Sequence, residues 1–505
     1  MSDKMSWQNR WKITATLTTA SPLHIGGDLP VKKDIYPMAD RKIKETVDVT
    51  AVVTGGKDGG QAYLPGSTIK GNLRAWMQAN GCKEAVVEQI FGSRHDGKDV
   101  RLGGKAEFHD AFFVGSAPPG FGDNPPPYWD KDRLTAIAAS TAIDRQTGTA
   151  VDKKLFHLEY VPKGVAFTLC ITGQDLTLDE VAALAHALDQ GFDVRRERPV
   201  SLGASTADGW GRFRLKDLKI CRLTPAGVNK WLEKPVGAGY GIPDSHYEDV
   251  TAVVRQKGLI WGFGAETSPR LVIDLVLSFD GPFLVNDQSK SKKVLKDEHQ
   301  ADFNPRRNEQ GEVVLPSASF RGAFRSQAER ILRTIGAHAC TPADPCTPIH
   351  AQGGEKSLCL ACRLFGASGW RTAVEVSPFT LERCKKNDFT QEFVAIDRFT
   401  GGARDGAKFN AKAVLSPVFR GKMTIDLQRC GEDWALGLLA LTLRDLCEGD
   451  ITFGYGAAKG YGTCTAEARV SGQPQFDWPP APESNLGQFV EKLHQEIARR
   501  GAGHE

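Results

Sequence analysis

Four cysteines, Cys340, Cys346, Cys359 and Cys362, stand close together in the chain. The last two have the C-x2-C spacing that lets both sulfurs point at one ion, and four thiolates suit tetrahedral Zn2+. The segment around them contains Pro342, Pro345, Pro348, Gly353 and Gly354 and little that is apolar, so it would gain its order from the metal. His338 and His350 are possible substitute ligands. Four protein ligands close the coordination sphere, which makes the expected site structural, and no H-E-x-x-H helix offers an open one. Eleven cysteines in a chain of 505 residues fit reduced thiols plus one metal site better than a disulfide framework.

Carboxylates form the second set. One long polar loop carries Asp28, Asp34, Asp40 and Asp48, and a later one carries Asp287, Asp297 and Asp302. An exposed Asp is usually there for solvation, but one held beside a phosphodiester can bind a divalent ion and help activate a ribose hydroxyl. The histidines at comparable landmarks, His24, His95, His109 and His157, all lie in the first half of the chain. A nuclease built on paired histidines is therefore not expected in both halves.

Cations form the third. In Leu64-Pro65-Gly66-Ser67-Thr68-Ile69-Lys70-Gly71-Asn72-Leu73-Arg74, small hydroxyl residues precede an apolar-basic pair, a glycine and a second apolar-basic pair. This predicts a capped helix start with Ile69 and Leu73 on the buried face and Lys70 and Arg74 beside it. The pattern returns as Leu315-Pro316-Ser317-Ala318-Ser319-Phe320-Arg321-Gly322-Ala323-Phe324-Arg325, an offset of 251 from 64 to 315. A helix N-terminus with hydroxyls such as Ser67 and Ser319 and two stacked cations suits phosphate. A capped helix with a solvated basic face is the plain alternative.

The elements that must position these groups also recur. Trp11 to Thr18 alternates apolar and polar residues like a half-buried strand and runs into Pro22-Leu23-His24-Ile25-Gly26-Gly27; Val272 to Ser278 runs likewise into Pro282-Phe283-Leu284-Val285. The acidic loops follow, then the two helices, then Ile90-Phe91-Gly92-Ser93 and Leu364-Phe365-Gly366-Ala367-Ser368. Thr141-Ala142-Ile143-Asp144-Arg145 matches Val394-Ala395-Ile396-Asp397-Arg398. A strand and a helix follow each. Each half closes on a glycine-rich loop, around Gly209-Trp210-Gly211 and Gly460-Tyr461-Gly462. Backbone amides there could cradle phosphates, and Trp210, Tyr455 and Tyr461 could stack on bases or simply pack. Landmarks in one order at offsets of 251 to 274 mark a tandem duplication. The expected organisation is a first domain over 1–221, a linker over 222–268, a second domain over 269–470 with a zinc insertion at 338–362, and a Pro-rich tail with a short helix over 471–505. The element pattern predicts an α+β plait of ferredoxin or RNA-recognition type in each half.

Bulk composition narrows the function classes. Hydrophobic residues make up 41% and charged residues 25%, and 64 basic against 61 acidic residues give a net charge of +3, so any basic surface is local. No apolar run approaches the ~20 residues that span a bilayer and no signal-peptide pattern opens the chain, which leads to an expected cytoplasmic location without a membrane partner.

Taken together, Pro22 to Gly27, Leu64 to Arg74 and Gly209-Trp210-Gly211, with Leu315 to Arg325, Leu364-Phe365-Gly366 and Gly460-Tyr461-Gly462, resemble the repeat-associated (RAMP) superfamily of CRISPR proteins. More narrowly they look like backbone subunits of type III effector complexes, and two fused copies look like the double-backbone subunit of a type III-D-like complex. The resemblance implies two tandem modified RNA-recognition-motif domains with long inserted loops. These would grip the backbone of a guide RNA beside other effector subunits, while a thumb-like loop interrupts the pairing with a single-stranded target RNA. It also implies that an Asp of the loop before each helix cuts the target with Mg2+ or another divalent ion. Asp48, 17 residues before Pro65, and Asp302, 14 before Pro316, match that position; Asp28, directly after the glycines, is a rival. Ser67, Lys70, Arg74, Ser319, Arg321, Arg325, Gly209, Trp210, Gly460 and Tyr461 become the expected RNA contacts. A non-catalytic scaffold of the same complex and a metal-independent guide-processing endoribonuclease are the competing expectations.

Overall fold

The computed structural model describes residues 10–35, 45–52, 54–55, 60–93, 103–115, 120–121, 126, 128–145, 147–196, 198–233, 244–257, 269–287, 290, 300–308, 310–348, 357–472, 476–480 and 486–501. One plan is built twice.

The first copy begins with β1 (Arg10–Thr19), whose Trp11, Ile13, Ala15 and Leu17 are buried at alternate positions. Then come the hairpin β2 (Gly26–Ile35) and β3 (Glu45–Val52), and the short pair β4 (Thr54–Gly55) and β5 (Gln61–Ala62). Helices α1 (Gly66–Ala79) and α2 (Glu84–Phe91), β6 (Ala106–Phe108), and the hairpin β7 (Ala136–Ile143) and β8 (Ala150–Tyr160) follow. The copy ends on β9 (Ala166–Gln174), α3 (Leu178–Gly191) and β10 (Phe213–Leu223). The main sheet has the order β10-β1-β9-β6 with antiparallel neighbours. Numbered along the plait, that is 4-1-3-2, the ferredoxin-like arrangement. α1 forms because Ile69, Leu73, Trp76 and Met77 recur at helical spacing and face the core. Its expected side-chain cap is absent: Pro65 is the N-cap, and the Gly66 N–H instead donates to Asp110 Oδ1 at 2.8 Å. Glycine is required there, since a Cβ would lie 2.1 Å from the Phe108 carbonyl oxygen. α3 does carry a full capping box, Thr177 with Glu180.

The stretch expected to be a linker instead extends the first sheet. After α4 (Pro225–Leu232), β11 (Tyr247–Asp249) pairs with the edge strand β10, and α5 (Thr251–Gln256) packs on α3. Val250 and Val254 join the first core, so the apolar positions of this Gly- and Pro-rich segment have a sheet edge to cover.

In the second copy, β12 (Arg270–Phe279) and β13 (Pro282–Phe283) precede β14 (Val314–Leu315), α6 (Ser317–Thr334), α7 (Leu360–Phe365) and β15 (Val374–Val376). Then come β16 (Phe379–Arg383), the hairpin β17 (Lys386–Ile396) and β18 (Ala403–Leu415), β19 (Val418–Asp426), α8 (Leu427–Cys430), α9 (Asp433–Glu448) and β20 (Cys464–Ser471). β12 lies between β19 and β20, and β15 adds beyond β19, so the 4-1-3-2 order returns. Phe320, Phe324, Ala328 and Leu332 bury one face of α6, and each phenylalanine contributes about 1.5–3 kcal/mol by leaving water. The fold expected from the sequence, tandem ferredoxin-like α+β domains, is thus the fold observed. In the tail, α10 (Leu486–Gly501) packs on α9 through Phe489 and Leu493.

Candidate functional site

In each copy the glycine-rich loop folds back onto the end of the first strand. The Ala204 N–H donates to the His24 carbonyl at 2.8 Å and the Gly211 N–H to the Pro22 carbonyl at 2.8 Å; in the second copy Tyr455 bonds Leu284 at 2.7 Å and Gly462 bonds Pro282 at 2.9 Å. A Cβ on Gly203 or Gly454 would lie 2.2 or 2.4 Å from those same His24 and Leu284 oxygens, and both residues have positive φ. The two Pro-containing landmarks and the two closing loops therefore form one structural unit per copy, and the acidic stretches leave from it.

Asp28 and Asp48 are placed by backbone register alone. β2 and β3 pair antiparallel, with Lys32 opposite Asp48 and an irregularity between Gly26 and Pro30 that contains Asp28. Val49, next to Asp48, pairs in parallel with His157 of β8; Phe303, next to Asp302, pairs in parallel with Ala411 of β18. Both pairings are offset by 254, from 49 to 303 and from 157 to 411, so Asp48 and Asp302 occupy equivalent backbone positions. Asp302 is pinned by two bonds: its Oδ2 accepts from the Asn410 N–H at 2.9 Å, and its own N–H donates to Asn410 Oδ1 at 2.9 Å. Asp40, Asp297, His95 and His350 lie outside the described residues.

Glu159 fastens the first acidic hairpin to the body. Fully buried, it pairs with Lys33 of β2, accepts from Thr135 Oγ1 at 2.7 Å and from the Val52 N–H at 3.0 Å, and meets Arg133 Nε at 3.3 Å. Burial alone would push its carboxyl up, but the Lys33 and Thr135 bonds reverse this and hold it below the ordinary glutamate range.

The expected RNA contacts divide. Ser67 is exposed, and Lys70, Arg74, Ser319 and Trp210 are half-buried, Trp210 with its ring 5.5 Å from that of Tyr160. Arg74 Nη2 stands 3.8 Å from Glu84, and Arg74 Nε and Nη2 make no hydrogen bond among the described residues. Gly460 is exposed. The remaining four are engaged within the protein. Tyr461 is 1% exposed and donates to Gln391 Oε1 at 2.9 Å, because its ring fills a small core with Leu284, Ala411 and Ala413. Gly209 is buried against Pro378 of the second copy. Arg321 reaches across to Asp208 at 3.1 Å. Arg325 bonds Glu329 at 2.8 Å, the Gly366 carbonyl at 2.8 Å and Cys362 Sγ at 3.1 Å.

Glu329 is the residue the sequence concealed. It has no exposed surface and receives Arg325 at 2.8 Å, Arg333 at 3.3 Å and Arg145, from the tip of the first copy's β7–β8 hairpin, at 2.6 Å. Replacing Glu329 with Ala strands three guanidiniums around a buried hole. The expected cost is about 3–5 kcal/mol, measured as a lowered urea midpoint, with Arg145→Ala costing less because its own site is half-buried. The recurring Asp-Arg landmarks are hairpin tips: Asp144 Oδ1 accepts from the Thr147 N–H at 2.9 Å, and Asp397 Oδ1 from the Phe399 N–H at 2.9 Å and the Thr400 N–H at 3.0 Å.

The four cysteines converge. All four Sγ atoms lie within 4.8 Å of one another, with Cys340 and Cys362 3.3 Å apart. Cys359 caps α7 by accepting from the Cys362 N–H. The hydrogen bond with Cys362 lowers the Cys359 thiol, and the same contact raises that of Cys362. The donor set and its closeness fit Zn2+, with Cys340, Cys346, Cys359 and Cys362 as ligands. The site lies in the connection between α6 and α7, residues 335–359 and described at 335–348 and 357–359, where the first copy has only 80–83 between α1 and α2. Among the described residues the other group of three or more such ligands is Asp445, Glu448 and Asp450, and Asp302 belongs to no such group. No helix among the described residues is long and apolar enough to cross a membrane.

A family model described as the RAMP superfamily matches residues 16–214 and again residues 237–465. No curated protein matches the chain.

Proposed function

The chain belongs to the RAMP superfamily through both of its copies, and from that premise we propose that it is an RNA-binding backbone subunit of a CRISPR effector complex, of the type III-D-like double-backbone kind. The observation that supports this best is the repeated unit itself: first-strand end, glycine-rich loop, acidic segment and basic-faced helix, in the same order and the same sheet positions in both copies. Each copy would hold one stretch of guide RNA, so the chain would span two successive stretches. Ser67, Arg74, Ser319, Trp210 and Gly460 are the proposed contacts on the RNA. The β7–β8 and β17–β18 hairpins, with Ile143, Leu155, Phe156, Val394, Ile396 and Phe399 exposed, are the proposed thumbs that interrupt the guide-target duplex.

Target cleavage is assigned to Asp48 and Asp302. Asn410 holds the Asp302 carboxylate against the return strand through Oδ2, which leaves Oδ1 as the second acceptor of the group. Such an oxygen can take the proton of a ribose 2′-hydroxyl as its oxygen attacks the adjacent phosphorus and the 5′-oxygen leaves. A second reading, in which the chain is a scaffold that positions target without cutting it, is favoured by the bonds that tie Asp302 to the Asn410 backbone and side chain, a structural use for that carboxylate.

RNA retention tests the binding reading. Co-expressed with a guide RNA, the chain is expected to retain it through purification, with log K falling linearly with log salt by about 0.7 per phosphate contacted. Arg74→Ala is expected to lower that slope by about 0.7 without changing sequence preference. A chain that elutes free of RNA at low salt contradicts the proposal.

A further inference from the structure

The junction between the two copies shows how one copy seats on the next, and the chain carries the parts of that junction again at both of its ends. At the junction the first copy presents Arg145 from its hairpin tip, Asp208 from its glycine-rich loop, and Arg198. The second copy receives them with Glu329, Arg321 and Asp426: Arg145 meets Glu329 at 2.6 Å, Arg321 meets Asp208 at 3.1 Å, and Arg198 pairs with Asp426. All three pairs are of opposite charge, and Gly209 packs against Pro378 between them.

The duplication tells which residues stand in these places at the outer ends. On the receiving side, the offset of 251 puts Lys70 at the place of Arg321 and Gln78 at that of Glu329. Gln174 stands at that of Asp426, each being the partner of the first residue of its central strand, Arg10 or Arg270. On the presenting side, Lys459 stands at the place of Asp208, from 208 to 459, and Arg398 at that of Arg145, from 145 to 398. Lys459 and Arg398 are both exposed. Were a second copy of this chain to seat on the first in the way the halves seat on each other, Lys459 would face Lys70 and Arg398 would face Gln78. The two acids that receive arginines would have given way to glutamines. None of the three ion pairs re-forms, and one becomes a contact of like charge, which disfavours association.

We propose that the chain is charge-coded against stacking on itself, and that the Lys70 face of α1 takes a glycine-rich loop from a different chain of the same fold, one presenting a carboxylate where this chain's first copy has Asp208. Lys70 is thereby a partner contact and not a phosphate contact. The proposal stands on the internal junction and does not depend on whether the chain cuts RNA.

Two opposite substitutions create the missing pair and so mimic that partner. Lys459→Asp supplies the acid on the presenting side, facing Lys70; Lys70→Asp supplies it on the receiving side, facing Lys459. Sedimentation of the full, nuclease-treated chain is expected to show each single variant self-associating about tenfold more tightly than the natural chain, equivalent to about 1.4 kcal/mol. The double variant, with Asp facing Asp, is expected to return to the natural chain's behaviour. Lys459 is exposed and Lys70 half-buried, and two routes to one pair keep the test decidable if one protein folds poorly. Equal association by the natural chain and the single variants overturns the proposal. So does a double variant as tightly associated as the singles, since the acid would then act without its partner lysine.

Discussion

Stripped of its metal by a strong chelator, the protein is expected to release one zinc per chain, held by Cys340, Cys346, Cys359 and Cys362, and to lose cooperative unfolding of its second copy. A structural zinc contributes about 10–16 kcal/mol of apparent binding free energy, as much as the whole stability of an ordinary domain. The loss would not stay within residues 335–359. Cys359 caps α7, Cys362 lies in it and bonds Arg325, and Arg325 reaches Glu329, which holds the first copy's Arg145. A defect at the metal therefore reaches α6 and the junction between copies. Elemental analysis combined with thermal unfolding checks this. Cys359→Ser or Cys362→Ser should abolish zinc and lower the transition, whereas Cys82→Ser, in the short turn of the first copy, should leave the zinc content unchanged. Full zinc-free protein with an unaltered transition would show that the thiols are merely neighbours.

Much of this architecture is legible in the residues because it rests on local patterns. Alternation in Trp11 to Leu17 and the spacing of Phe320 and Phe324 specify a strand and a helix without help from the rest of the chain. The C-x2-C pair likewise declares a ligand set. What was not legible depends on contacts between distant segments. Glu329 reads as one more exposed helix acid until Arg145, 184 residues away, closes on it. The segment after Leu223 reads as a linker because Gly and Pro dominate it, yet three residues suffice to pair with β10. Tyr461 and Trp210 look alike in sequence beside their glycines, but one is enclosed by its hairpin and the other remains half-buried. The contrast between Asp208 and Lys459 in otherwise similar loops was the visible signal of the junction. Burial raises the Asp208 carboxyl and Arg321 opposes the rise, which is the mark of a covered ion pair that a single loop cannot disclose.

Among the candidate carboxylates, the duplication favours Asp48 and Asp302 over Asp28. Asp28 lies two residues after Gly26, and the matching offset of 260 gives Gln288, which cannot accept a proton as a carboxylate does. Asp48 and Asp302 both precede the residue that pairs in parallel with the return strand. Replacing Asp302 with Asn preserves an acceptor for the Asn410 N–H while removing the charge, so the fold should persist while any proton transfer is lost. The expected loss of rate at that site is about 10²–10⁴-fold. Asp48→Asn should do the same at the other site, and Asp28→Asn should leave both. Mapping the products of complementary target RNA in the assembled effector complex, with the natural chain and each Asn variant, is the most direct test. The account predicts two classes of cut, with Asp48→Asn removing one and Asp302→Asn the other while guide RNA stays bound. Identical product ladders from all of these proteins would contradict it.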